Sequence, residues 1–394
     1  MYLLNGDKYE CCGCTSCEQI CPKECIKMVQ DEEGFLYPLK DENICISCGL
    51  CEKVCPINDK SSQQPETPYC YYGWHKDEKI RASSTSGAAF VAILQVCKDM
   101  GIEYYSGAVY EEKFHVHHVC TDDFADLKKM QTSKYVQSDI DGVFRDIKDI
   151  VSNGGQALFS GTPCQADALR LYLGPKLQDK VIIVGLVCHG VASPMIFEKY
   201  INEIESAHNS KVRSIRFRDK RMLDNQLNHK FTTVEFENGQ IDASVENPYT
   251  IAFGLGYMHR PSCSECKYAT PLREFDLTIG DFWGITDIKP ELSSELSKGI
   301  SLILAHTERG KEIAERLSEY MIIEILPDYR VCINKQQQQL SRPYAANPKK
   351  PLFILRSMNS DKGFTRETNR IMFVRKCIAY KRRLVHMITT RVRR

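Results

Sequence analysis

The sequence predicts a small α+β module at the N-terminus, a mixed α/β core behind it and a basic helix at the C-terminus. Three observations carry that reading. Ten of the 19 cysteines fall within residues 1–60, a stretch with little else to build a core from. From Tyr69 to about Asp328, short apolar strands alternate with helical stretches. The last 29 residues, Arg366 to Arg394, interleave arginine and lysine with aliphatic side chains.

A chain of 394 residues has room for two or three domains. Hydrophobic residues at 43% and charged residues at 26% exclude wholesale disorder. No apolar run approaches the roughly 18–20 residues of a membrane span. The opening MYLLNGDKYECCGC lacks a basic stretch followed by a long apolar one, so export is not expected and the chain reads as cytoplasmic. In that compartment 19 cysteines favour metal or redox chemistry over disulfide stapling.

Within the first module, Cys11, Cys14, Cys17 and Cys21 follow C-x2-C-x2-C-x3-C, with Pro22 next; Cys45, Cys48, Cys51 and Cys55 repeat the spacing, with Pro56 next. This is the run of bacterial two-cluster ferredoxins. Three thiolates within seven residues wrap three corners of a cubane, and the fourth reaches the other cluster. The expected ligand sets are therefore Cys11, Cys14, Cys17 and Cys55 for one [4Fe–4S] cluster, and Cys45, Cys48, Cys51 and Cys21 for the second. A pair of zinc knuckles would need longer gaps or histidine, and residues 1–60 contain no histidine. Residues 1–60 thus read as a ferredoxin-like domain. SSQQPETP, residues 61–68, reads as a linker.

The core, residues 69–330, is read from its apolar runs. Ala88–Met100 is helical and stopped by Gly101; Ala157–Ser160 is a strand leading through Gly161–Pro163 into helical CQADALRLYL. Val181–Val187, Asp276–Gly280 and Ile300–Ala305 are buried-type strands, while Val212–Phe217 and Phe231–Phe236 alternate in the half-buried manner. Four more cysteines sit where these strands end or in a tight loop: Cys164 in SGTPCQ, Cys188 in VCHG, and Cys263 with Cys266 in CSEC. Together they suffice for one more cluster, although isolated cysteines also serve as small packing groups. His115, His117 and His118 read as surface residues without an acid at ligand spacing.

Seven motifs in order carry a resemblance: Ser84–Gly87 before a helix, Ser133–Ser138, SGTPCQ at 160–165, VCHG at 187–190, CSEC at 263–266, TIGDFWG at 278–284 and KGIS at 298–301. Over these the chain resembles the beta-subunit family of coenzyme F420-reducing hydrogenase and formate dehydrogenase. That family also resembles bacterial homologues often linked to surface-polysaccharide genes, and the chlorophyll-cycle reductases. The resemblance implies a flavin/iron–sulfur core with FAD and a third [4Fe–4S] cluster on Cys164, Cys188, Cys263 and Cys266. It implies flavin contacts from Ser86 and Gly87 at the helix start, from Ser133, Lys134, Tyr135 and Gln137, from Gly161 and Thr162, and from Gly280 and Asp281. Lys134 is the candidate tuner of the flavin ring and His189 a candidate proton carrier. Ala88 stands where the family often has a second glycine. No role is expected for Cys12, Cys25, Cys70, Cys97, Cys120, Cys332 or Cys377.

The C-terminal extension, residues 331–394, ends in a tail carrying +9, against −8 for residues 1–365. The acidic body has no general attraction for nucleic acid, and no nucleic-acid partner is expected. Ile371, Val374, Ile378, Val385, Ile388 and Val392 recur at helical intervals among the basic residues, a pattern suited to peripheral contact with the anionic inner face of a membrane. The expected function is that of an iron–sulfur flavoprotein oxidoreductase. It would pass electrons between its clusters and a flavin that exchanges hydride with a coenzyme F420-like or other small-molecule substrate, such as a sugar in polysaccharide biosynthesis. The alternative is a non-enzymatic subunit that relays electrons to a separate catalytic protein.

Overall fold

The computed structural model describes residues 1–59, 66–220 and 231–392, with side chains given for these except Ala379 and those from Lys381 onward. Most of the expected linker (61–65) and the basic side chains Lys381, Arg382, Arg383, Arg391, Arg393 and Arg394 lie outside the described residues, as do the side chains of Val385, Ile388 and Val392. The strands are β1 (Ile26–Gln30), β2 (Leu36–Lys40), β3 (Tyr69–His75), β4 (Tyr104–Tyr110), β5 (Val116–Thr121), β6 (Ala157–Gly161), β7 (Val181–Leu186), β8 (Val212–Asp219), β9 (Phe231–Phe236), β10 (Ile241–Ser244), β11 (Leu277–Asp281), β12 (Ser301–Ala305) and β13 (Met321–Leu326).

Strands β1 and β2 form an antiparallel pair in the N-terminal module, and each cysteine run closes on a single helical turn, Ser16–Gln19 and Leu50–Lys53. The core is a mixed eight-stranded sheet in the order β13-β3-β12-β11-β7-β6-β4-β5. Its middle, β11-β7-β6-β4, is parallel, and every other pairing in it is antiparallel. Continuous apolar runs such as VIIVGL suit the parallel middle because both faces are covered. One face packs Ala92, Ile93 and Val96 of the helix Ala89–Asp99, with Ile313, onto Leu158, Ile182 and Leu277. The other packs the helices Val143–Ser152 and Pro163–Leu173 onto Phe159 and Ile183.

One buried carboxylate locks this sheet. Asp276 Oδ2 accepts the Ile183 N–H at 2.9 Å and Arg309 Nη2 at 2.7 Å, and its Oδ1 accepts Thr307 Oγ1 at 2.8 Å. A buried charge with this many donors is compensated, and removing Arg309 would leave it stranded.

A three-stranded antiparallel sheet, β10-β9-β8, packs with the helix Pro194–His208 around Val212, Phe217, Val234 and Phe236. The C-terminal helix Gly363–Val392 joins this second core through buried Phe364, and Glu203 accepts its Phe364 and Thr365 N–H groups at 2.9 Å each. Farther along, Phe373, Val374, Ile378 and Tyr380 are exposed, so the body does not cover that part of the helix. Among the described residues no helix is long and apolar enough to cross a membrane.

The N-terminal module is seated on the core. Gln19 Oε1 accepts the Phe144 N–H at 3.0 Å, Tyr172 Oη donates to the Gln19 carbonyl at 3.3 Å, and Lys350 pairs with Glu33 at 2.5 Å. The three histidines expected at the surface divide. His115 is exposed, but His118 is buried against Phe159 with Nε2 3.1 Å from the Ser160 carbonyl. Successive residues of β5 face opposite sides, so His118 turns inward where His117 turns outward. The expectation of no acid beside them is also corrected: the β4–β5 turn brings Glu111 to His115 and His117.

Candidate iron–sulfur and flavin sites

The twelve nominated cysteines gather around three separate cavities. Cys11, Cys14, Cys17 and Cys55 line the first; Cys21, Cys45, Cys48 and Cys51 line the second; Cys164, Cys188, Cys263 and Cys266 line the third, a cavity of about 360 Å³. Loop geometry explains the first two: three sulfurs come from one tight loop and the fourth from the far end of the other run. For the third, Cys164 and Cys188 follow the C-terminal ends of the adjacent parallel strands β6 and β7, where α/β sheets gather their chemistry. The Cys263–Cys266 loop is brought there by an Ala192–His259 bridge and by the Arg260 N–H donated to the Val191 carbonyl at 2.9 Å.

The donor chemistry fits iron–sulfur clusters. Burial, then the neighbouring thiols, raises Cys188 well above the ordinary thiol range; burial pushes Cys263 up to about 12 and Cys266 up to about 11. Four such thiols cannot all ionise without a cationic core between them. Among the described residues, no three cysteine sulfurs lie within 4.8 Å of one another. That is wider than the roughly 3.8 Å edge of a thiolate tetrahedron around a single zinc, whose Zn–S bonds are about 2.3 Å.

Two residues without an expected role stand at the junction of the first and third cavities. Cys12 lines both. Arg260 is buried: its Nε donates to the Cys11 carbonyl at 2.6 Å and its Nη2 to the Leu36 carbonyl at 2.8 Å, with the guanidinium 4.2 Å from the centroid of the Tyr37 ring. Gly13 makes room for it. A Cβ there would stand 2.6 Å from Arg260 Nη1, and its φ of +69° is a conformation glycine adopts freely. The CSEC loop is further tied to the helix that begins beside Cys164. Tyr268 Oη donates to Asp167 at 2.5 Å, and Arg170 gathers Asp167, Glu274 and Asp59 at 2.8, 2.8 and 3.2 Å. That guanidinium sits among three carboxylates that have the spacing of a cation site.

The nominated flavin residues fall into two groups. Gln137, Gly161 and Thr162 belong to the cluster side. Gln137 Nε2 donates to the Cys12 carbonyl at 3.0 Å, and Thr162 caps the helix Pro163–Leu173 with its Oγ1 3.2 Å from Cys164 Sγ. Gly161 Cα leaves no room for a side chain beside Phe159.

Ser86, Gly87, Ser133, Tyr135, Gly280 and Asp281 converge elsewhere. Ser86 Oγ lies 2.9 Å from the Ile300 carbonyl and 3.4 Å from that of Gly280; the Ser133 N–H reaches Thr85 Oγ1 at 3.2 Å. Tyr135 is stacked between Phe217 and Phe253, with centroids 4.9 and 4.7 Å away. Lys134 Nζ is held by the Lys129 and Gln131 carbonyls at 2.8 and 3.0 Å, and burial lowers its pKa to about 7.

Asp281 forms a two-pronged ion pair with Arg218, which also lies over Trp283 at 4.7 Å. Beside it Lys220 is buried, with Nζ held by the carbonyls of Arg81, Ser86 and Lys298; burial, then Arg81, lowers its pKa to about 7. Neither Arg218 nor Lys220 carries a sequence signal, because Arg218 lies on the bulged end of β8 and Lys220 directly after it, far from every motif.

The Ser84–Gly87 turn is not an open amide cradle. Ser301 Oγ accepts the Gly87 N–H at 2.9 Å and faces the Ala89 N–H at 3.4 Å, and a Cβ on Gly87 would stand 2.4 Å from the Gly73 carbonyl. Gly87 is required by that close approach to β3 and β12. Lys220 and Arg218 lie beside the same turn, the first donating to the carbonyls of Arg81, Ser86 and Lys298 and the second paired with Asp281. His189 lines the third cavity, its ring 4.9 Å from Tyr344 and 5.8 Å from His259.

Two segments of the chain match known families. Residues 155–328 match the family model for the C terminus of the coenzyme F420 hydrogenase/dehydrogenase beta subunit, and residues 38–58 match that of a 4Fe–4S binding domain. A chain of the F420-reducing [NiFe] hydrogenase complex from Methanosarcina barkeri is similar at 16% identity and a TM-score of 0.46, over 77% of this chain and 97% of that one. No curated protein matches the sequence. Through residues 155–328, with a 4Fe–4S binding domain ahead of them, the chain is similar to the C terminus of the coenzyme F420 hydrogenase/dehydrogenase beta subunit.

Proposed function

We propose that this chain is an iron–sulfur flavoprotein oxidoreductase with three [4Fe–4S] clusters and one FAD. The observation that carries the reading is the sorting of twelve cysteines into three cavities, with Cys12 lining both the first and the third. Clusters of this kind carry single electrons, and a flavin exchanges them for a hydride with an organic partner. Cys48 is exposed, so the second set is the natural contact for a redox partner protein or soluble donor. Arg260 and Cys12 hold the first set against the third and exclude water from the seam between them.

The FAD would lie against the turn where Ser86, Gly87, Ser133, Gly280 and Asp281 converge, with Lys220 and the Arg218–Asp281 pair fixing that turn. The organic partner is a deazaflavin of the coenzyme F420 kind or another small molecule such as a sugar. Exposed Phe373, Val374 and Ile378 support peripheral contact of the C-terminal helix with an anionic membrane.

The test is anaerobic purification with iron, sulfide and flavin measured per chain. The expected result is about 12 irons and about one FAD. About eight irons without flavin would overturn the third cluster and the flavin together, leaving a cluster protein that only relays electrons.

A further inference from the structure

The turn between β4 and β5 carries a donor set made of nitrogen and oxygen, apart from every sulfur site. We propose that Glu111, His115 and His117 bind a divalent transition-metal ion of the zinc class. His115 and His117 are two residues apart along an extended stretch, so their rings share one face; the centroids are 5.7 Å apart at an interplanar angle of 26°. Glu111 sits across the turn, its N–H donating to the His115 carbonyl at 2.9 Å. Its carboxylate comes 3.3 Å from His117 Nδ1 and 3.9 Å from His115 Nδ1, and the three donor atoms lie within 4.8 Å of one another.

These separations are close to those of an assembled site. Bonds of about 2.0–2.1 Å to a tetrahedral zinc put its ligand atoms about 3.3 Å apart. His117 Nδ1 is shielded from solvent and makes no hydrogen bond, although the carboxylate is beside it. An ion between the two satisfies both. The turn is also strained: Lys113 and Phe114, neither a glycine, hold φ of +57° and +62° in succession. That geometry folds Glu111 back opposite His115.

Side-chain exposure is 61% at Glu111, 52% at His115 and 16% at His117, so the ion is seated on His117 with its outer side open to solvent. Two imidazoles, one carboxylate and an open position suit zinc or cobalt, whereas iron–sulfur clusters demand thiolates.

The test uses cluster-loaded protein titrated anaerobically with Co²⁺ and followed by the metal's d–d absorption. One Co²⁺ per chain is expected, without thiolate-to-cobalt charge transfer. His117→Ala and Glu111→Gln should each weaken binding about tenfold or more. Glu111 is exposed, so E111Q should keep the wild-type cluster spectrum and unfolding midpoint, which separates loss of a ligand from loss of fold. Absence of cobalt binding to the wild type, charge-transfer bands placing the ion on cysteine, or E111Q and His115→Ala binding like the wild type would each overturn the proposal.

Discussion

Arg260 Nη2 lies 3.4 Å from the Cys11 sulfur, and the carbonyl of the same residue accepts the Cys263 N–H at 3.1 Å. A single buried cation therefore touches one proposed ligand of the first cluster and sets the loop that carries two proposed ligands of the third. A positive charge and an N–H···S contact both favour the reduced, more negative state of a cluster. Arg260→Gln is expected to lower the potential of the Cys11 cluster by on the order of 60 mV, a tenfold change for a one-electron couple. Arg260→Lys should retain most of it. A redox titration followed by EPR decides, and equal potentials in wild type and R260Q would refute the role.

Cys188→Ser should cut iron from about 12 to about 8 per chain while leaving the EPR signals of the N-terminal pair in place. The exposed Cys377→Ser, which lines none of the three cavities, should lose none. Equal iron in C188S and wild type would remove Cys188 from the ligand set.

Gly87→Ala should destabilise the protein whether or not a cofactor is bound. Its Cβ would press on backbone at 2.4 Å (Gly73 carbonyl) and 2.8 Å (Ser301 nitrogen), neither the movable end of a side chain. The expected loss is about 2 kcal/mol or more, read from denaturant midpoints. A G87A protein as stable as the wild type would mean that this contact is not what requires glycine.

Stability should fall in mild acid through His306. It is buried, with Nε2 2.9 Å from Thr278 Oγ1, and burial, then the Arg273 charge, holds its pKa well below the usual imidazole range. The unfolded chain takes up a proton near pH 6.5 that the folded chain refuses. Stability present at neutral pH is therefore lost as pH falls below about 6.5, by up to about 1.4 kcal/mol per pH unit. His306→Gln removes this titration, so its denaturant midpoint should depend less steeply on pH between 7.5 and 5.5. Identical slopes for variant and wild type would count against it.

The two cysteine runs were legible because their chemistry is local: three sulfurs on one tight loop are set by spacing before any tertiary contact forms. The core strands were legible for a similar reason. VIIVGL and the LILA that follows Ser301 are unbroken apolar runs, which suit strands covered on both faces. The Cys164–Cys188–Cys263–Cys266 set stood halfway. Its members sat at strand ends that could be read, but only the parallel pairing of β6 with β7 put the first two side by side.

What lay beyond the sequence was every relation made across the fold. Arg260 is 249 residues from Cys11, and Lys220 meets the Ser86 turn from a sheet other than the one that turn serves. No spacing rule reaches such pairs. His115, His117 and His118 looked alike as a histidine run, yet the alternation of β5 buried one against Phe159 and the β4–β5 turn gave the other two a carboxylate. Local spacing determined which atoms could hold a cluster. Tertiary packing decided which buried charges surround it, because the desolvation that makes a cation like Arg260 effective exists only once distant segments close around it.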